Sequence, residues 1–133
     1  FGPGQNKSSL IPTLIFEGLK NNEIEVWGAD TVRDFQYIDN CIGGLVSIAE
    51  SEALVGETLN LASGYGITIG EITDMICTYI DAKRIDIKKP KPISHKSIGN
   101  ITKLKSMLDW GPKVSLEKAV ERTIDYYHSN YIK

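Results

Sequence analysis

The stretch TIGEITDMICTYI, residues 68–80, constrains the chain more than any other. Thr68 stands three residues before Glu71, the spacing at which each side chain can satisfy the other's backbone N–H at the start of a helix. Ile72, Ile76 and Ile80 then recur every four residues and mark one helical face. RIDIKKP follows at once and reads as a strand stopped by Pro90. A capped helix running into a strand sets the expectation of an α/β fold in which the two element types alternate.

The segments on either side fit that expectation. SSLIPTLIFEGLKNN predicts a helix from Leu10 to about Leu19; Ser9 as its N-cap puts Pro12 at the third helical position, where the missing N–H has no intrahelical acceptor. A short strand is expected over Ile24 to Trp27, a turn around Gly28 to Thr31, and a strand through Arg33 to Ile38. Asp39 can cap the next helix, where Ile42, Leu45, Val46 and Ala49 make an apolar series. Gly43 and Gly44 within it suggest close backbone packing. GETLNLASG reads as a strand over Thr58 to Leu61, and KPKPISHKSIGN as irregular. ITKLKSMLDWGP is expected to form a short helix ended by Gly111 and Pro112. Leu116, Ala119, Val120, Thr123, Ile124 and Tyr127 make an amphipathic stripe behind a Ser115 cap.

Composition narrows the function classes. With 133 residues, 41% of them hydrophobic, the chain suits one globular domain that needs neither a metal nor a disulfide to fold. A net charge of -2, from 15 basic and 17 acidic residues, argues against nucleic acid as partner and leaves room only for a local anion site. Cys41 and Cys77 lack metal-ligand spacing and read as free thiols, which fits a reducing cytoplasm. No apolar run approaches the roughly 20 residues that cross a membrane, and the start has no signal-peptide pattern. The chain begins inside a turn, FGPGQ, without an initiator methionine, so it is expected to be a fragment of a larger protein.

No catalytic centre is visible. FGPGQN has no preceding strand, and GYGITIGE lacks the lysine and spacing of a triphosphate loop. His95 and His128 suggest no triad, and His128 near the end of the last helix reads as a surface residue favoured by the helix dipole.

Taken in order, FGPGQ, EVWG, VRDFQYIDN, GETLNLASG, TIGEI, ITKLKSMLDWGP and SLEKAVERTIDYY resemble the carboxyl-terminal part of the NAD-dependent nucleotide-sugar epimerase/dehydratase family, the extended short-chain dehydrogenases, across essentially the whole chain. The resemblance implies a small mixed helix and short-strand α/β domain: residues 1–133 as a single nucleotide-sugar-binding lobe, the C-terminal lobe of a larger protein, lacking most of the Rossmann half. NAD would be held mainly by that missing half, which also carries the family's Tyr-x-x-x-Lys pair; the fragment alone would be inactive, and the parent could dimerise through helices of the Rossmann half. A nucleotide-keto-sugar reductase of the same family, or a non-catalytic α/β domain binding a small anion, is the alternative.

Residue by residue, Ser9 and Leu10 match the helix start beside the substrate diphosphate, where free N–H groups favour anionic oxygens. Val26 and Trp27 match the lining of the nucleotide-base pocket. Arg33, one of three arginines, matches the arginine that contacts the diphosphate with its planar fork of donors. Asp34 reads as structural. Asn40 stands where the family commonly has the second acid of Val-Asp-Asp. The family's further phosphate-binding arginine has no counterpart in KKPKPISHKSIGN, leaving Lys88, Lys89, Lys91, His95 and Lys96 as candidate anion contacts, with Asn100 as cap of the following helix.

Overall fold

The capping box at Thr68 is formed as its spacing predicts. In the computed structural model, which describes residues 1–88 and 95–131, the Glu71 N–H donates to Thr68 Oγ1 at 3.0 Å and the Thr68 N–H to Glu71 Oε2 at 2.8 Å. Behind it runs a helix, Ile69–Ile80, with Ile72 and Ile76 fully buried. Asp81, in the left-handed region at φ 54°, ends it and turns the chain into a strand, Lys83–Ile87.

The same device occurs earlier. The first helix, α1, spans Leu10–Asn21, starts at Ser9 and buries Pro12; Asn22, at φ 55°, reverses the chain into strand β1, Glu23–Trp27. Ser9 makes no side-chain cap hydrogen bond. Strand β1 pairs in parallel with Lys83–Ile87, Ile24 against Arg84 and Trp27 against Ile87. Alternate residues of β1 are buried, so Ile24 and Val26 face the helices while Trp27 faces out. Ile11, Leu14 and Ile15 of α1, Ile72, Ile76 and Cys77, and Val120, Ile124 and Tyr127 of the last helix, Leu116–Tyr131, close the core over that face.

Between these units the chain departs from expectation. Strand β2 is only Val32–Arg33, flanked by β3 (Ile67–Thr68, antiparallel) and β5 (Lys96–Ser97, parallel). The expected continuation to Ile38 does not form: both neighbours end after two residues, and the Ile38 N–H goes to Phe1 O at 2.8 Å. Helix α2, Ile38–Ala49, therefore starts one residue before Asp39, with Tyr37 in the N-cap position. Asp39 lies in the first turn and pairs with Arg122 at 3.3 Å instead. No strand occupies Thr58 to Leu61, because no described strand lies alongside and Thr58 O accepts from Lys103 Nζ. With α3 as Ile69–Ile80 and β4 as Lys83–Ile87, the order is completed by α4 (Thr102–Met107) and α5 (Leu116–Tyr131). Helix α4 ends well before Gly111. Asn100 Oδ1 accepts from the Thr102 N–H at 3.0 Å, one position ahead of the N-cap residue Ile101. Pro90, the expected strand stop, lies outside the described residues.

Helix α2 is also inverted relative to its apolar series. Asn40 and Gly44 are its buried residues, while Ile42, Leu45 and Val46 are 51%, 55% and 50% exposed. The adjacent glycines thus have different duties. A Cβ on Gly44 would meet Leu61 Cδ1 at 2.5 Å and Trp110 Cε2 at 3.0 Å; one on Gly43 would meet nothing within 4 Å.

Gly44→Ala is expected to cost about 1–3 kcal/mol through overpacking, and Gly43→Ala to add up to about 1 kcal/mol of helix stability. The two should shift the denaturant midpoint in opposite directions. A second expectation concerns pH. The hydrogen bonds from the Thr68 N–H and hydroxyl hold the Glu71 carboxyl below its ordinary 4.5. A folded pKa below the unfolded one gives stability that is present above about pH 4.5 and lost as acid titrates the folded carboxylate. Glu71→Gln should therefore flatten the acid limb of a plot of Tm against pH.

Candidate functional site

The turn at Asn22 makes α1 and β1 antiparallel, so the N-terminus of α1 and the C-terminus of β1 share one end of the molecule. The turn at Asp81 does the same for α3 and β4. Ser9, Leu10, Trp27, Thr68 and Lys88 consequently lie towards that end. The small β3–β2–β5 sheet adjoins it through backbone bonds from Gly70 N to Ala29 O and from Ile69 N to Thr31 O.

Within the sheet, Arg33 lies between Ile67 of β3 and Ser97 of β5. Its Nη1 donates to Val32 O and to His95 O, both at 3.0 Å. The chain's other arginines hold carboxylates: Arg84 binds Asp74 and Asp86, and Arg122 binds Asp39. Among the described residues, Arg33 pairs with no carboxylate. His95 and Lys96 are exposed beside it, His95 through its carbonyl and Lys96 opposite Val32. Lys96, as the register partner of Val32, lies on the face of the sheet opposite to that of Arg33, so the two share the β2–β5 seam and not one face. Lys89 and Lys91 lie outside the described residues.

The remaining sequence-derived candidates are placed differently. Leu10 is 38% and Trp27 50% exposed, but Val26 is 2% exposed and belongs to the core. Among the described residues no hydrogen bond or ion pair joins Ser9 or Leu10 to Arg33; they share an end of the fold.

Asp34 organises this region without contacting Arg33. Its Oδ1 accepts from the Ser63 N–H at 2.9 Å and the Ser63 hydroxyl at 2.6 Å; its Oδ2 accepts from the N–H groups of Gly64 at 2.9 Å and Gly99 at 3.1 Å. Asn40 does the same in the first turn of α2: Oδ1 accepts from the N–H groups of Lys113 and Val114, both at 2.9 Å, while Nδ2 donates to Val114 O at 2.8 Å. The donor that distinguishes Asn40 from an aspartate is therefore in use.

Between these anchored loops lies a cleft of about 360 Å³, lined by Phe35, Tyr37, Ser63, Tyr65, Ile67 and Leu116 among others. Sequence reasoning missed it. Its signal was the aromatic between two glycines in SGYG, a stretch weighed only as a phosphate loop. A dinucleotide cradle needs a strand, a glycine turn and a helix in succession. Here β1 passes through the Gly28 turn into β2, so the described residues do not fit NAD at that point. No group of three metal-capable side chains occurs among them, and no helix is long and apolar enough to cross a membrane.

No family model matches the chain. It is 30% identical over 134 residues to UDP-glucuronate 4-epimerase of Thermodesulfobacterium geofontis, covering 98% of this chain and 41% of that protein. The structure of UDP-glucuronic acid 4-epimerase from Bacillus cereus, in complex with UDP-glucuronic acid and NAD, superposes with a TM-score of 0.84 at 27% identity over 98% of this chain and 43% of that one. A Methanothermobacter thermautotrophicus epimerase shares the fold, with a TM-score of 0.85 at 22% identity over 98% of this chain and 41% of its own. The chain thus spans about two fifths of the length of these relatives. Proteins of this kind include nucleotide-sugar epimerases, dehydratases and decarboxylases. Fold and relatives together make the domain similar to part of the NAD-dependent epimerases and dehydratases, the extended short-chain dehydrogenases.

Asn40→Ala, which strands two N–H groups and a carbonyl, is expected to cost about 3 kcal/mol. Asn40→Asp keeps both accepted bonds and should cost less. Urea unfolding of the two variants against the parent chain checks the order.

Proposed function

We propose that residues 1–133 are the C-terminal, nucleotide-sugar-binding lobe of an NAD-dependent epimerase or dehydratase. The observation that carries this reading is Arg33: two of the three arginines are paired with aspartates, while the third, on the central strand β2, has no carboxylate partner among the described residues. An uncompensated guanidinium steadied by two carbonyls keeps further donors for an anion, and its fork matches two phosphate oxygens at once. Arg33 grips the substrate diphosphate, Lys96 adds a positive charge from the neighbouring strand, His95 offers an exposed imidazole, and the helix start at Ser9 and Leu10 contributes N–H groups from the same end of the fold. Trp27 offers an exposed ring to the base. Val26 acts only by packing beneath it.

In this reading the lobe binds and orients, and a Rossmann half of the parent holds NAD, which when bound supplies reversible hydride exchange with the sugar. Anchoring the diphosphate positions the sugar for chemistry elsewhere, so binding energy far from the reacting carbon is used for orientation. The outward apolar face of α2 supports a lobe that normally packs against more protein. Half-exposed Ile42, Leu45 and Val46 on one helix are unusual for a domain that works alone.

Titration of the chain with UDP by calorimetry or chemical-shift mapping tests the assignment. Arg33→Ala should weaken binding about 10-fold or more, and Arg33→Lys should restore only part of it, because the loss of charge-assisted, bidentate contacts is worth roughly 1.5–3 kcal/mol. Saturable binding indifferent to both substitutions would remove Arg33 from the site.

A further inference from the structure

Tyr65 is held in a position that packing alone does not explain. Its residue is 67% exposed, yet the loop carrying it is among the most heavily tied in the molecule. The N–H groups of Ser63 and Gly64 both go to Asp34, and the Tyr65 N–H goes to Ser63 Oγ at 3.1 Å. Gly64 sits at φ 77°, a backbone conformation that L side chains rarely adopt, and a Cβ there would meet Ile101 Cδ1 at 2.7 Å. Gly66 is likewise closed by Val32 Cγ1 at 2.7 Å. The loop is thus tied on both sides of Tyr65, and the aromatic side chain is presented outward.

What it is presented to is the cleft. Phe35, Tyr65 and Ile67 line the same concavity, and Ile67 is the cross-strand partner of Arg33. Phe35 lies two residues beyond Arg33, so their Cα atoms are at most about 7 Å apart. Lys105 Nζ stands 5.7 Å from the Tyr65 ring centroid, which places a positive charge beside the ring. An anion held by Arg33 and a ring lying against Tyr65 and Phe35 are thus within the span of one small molecule.

We propose that Tyr65 is a ligand-binding residue: its ring stacks on a ring joined to the phosphate that Arg33 holds, either the hexose or the nucleoside. The cleft beside Phe35 and Ile67 receives that ring, and Lys105 steadies the Tyr65 ring from beside it. This rests on the reading of Arg33 as the anion contact. The phenol hydroxyl is not needed; the face of the ring is.

The test titrates the chain, Tyr65→Ala, Tyr65→Phe and Arg33→Ala with three probes: inorganic pyrophosphate, UDP and UDP-glucose. Tyr65→Ala should weaken UDP-glucose about 10-fold and leave pyrophosphate unchanged, while Tyr65→Phe binds all three like the parent chain. A loss shared by UDP assigns the ring to the nucleoside; a loss confined to UDP-glucose assigns it to the hexose. Unchanged UDP and UDP-glucose binding in Tyr65→Ala, with pyrophosphate still sensitive to Arg33→Ala, overturns the stacking role alone. If pyrophosphate fails to bind, or binds without regard to Arg33, the anion site falls and the subsite falls with it. Equal weakening of all three probes by Tyr65→Ala marks a loop-structural role and also overturns the proposal.

Discussion

One carboxylate, that of Asp34, ties together three segments that are far apart in sequence. It accepts from residue 63 through both backbone and hydroxyl, and from the N–H groups of Gly64 and Gly99. The strands around it are two residues long, too short for ladder hydrogen bonds alone to fix their relative positions. A charged acceptor makes stronger bonds than a carbonyl, so one side chain does here what several strand residues would do elsewhere. Arg33, its neighbour, gains a rigid support without being neutralised by it.

Two modes of cohesion coexist in the domain. The α1–β1 and α3–β4 units and helix α5 are held by aliphatic burial, with Ile15, Ile24, Ile72, Ile76 and Val120 all fully enclosed. The region of β2, β3, β5 and the start of α2 is held by side chains that accept backbone N–H groups, chiefly Asp34 and Asn40. Candidate ligand contacts lie on the second, and it is seated on the first through the start of α3. Positioning a site on loops locked by buried acceptors gives it geometric definition while leaving its surface free for a ligand.

The elements that were legible in the sequence are those whose information is local. Thr68 with Glu71 and the isoleucine repeat behind them specify a helix from within a dozen residues, and Ser115 with the stripe through Tyr127 does so again. The strand expected over residues 33–38 and that over 58–61 depend on a neighbour's ladder, which no alternation within the segment can supply. Helix α2 misled for the opposite reason. Its period was read correctly, but which face turns inward was decided by a buried asparagine and a glycine, residues that carry no hydrophobic signal. Arg33 was legible as a candidate from its family context; its want of a carboxylate partner was not, because ion pairing by Arg84 and Arg122 is settled in three dimensions. Tyr65 was passed over because its glycines were measured against a phosphate loop, not asked what they hold in place.

The outward face of α2 has a consequence for selectivity. Aliphatic side chains attract any dry surface of suitable shape, so Ile42, Leu45 and Val46 cannot by themselves choose what covers them. Discrimination has to come from the border of the patch, where Asp39 and Arg122 form an exposed pair at the head of the helix. A correct neighbour must leave that pair hydrated or replace its bonds; an incorrect one that buries it strips two charges of water without return. The adhesive part of this surface is therefore indiscriminate, and its polar margin acts as the gatekeeper.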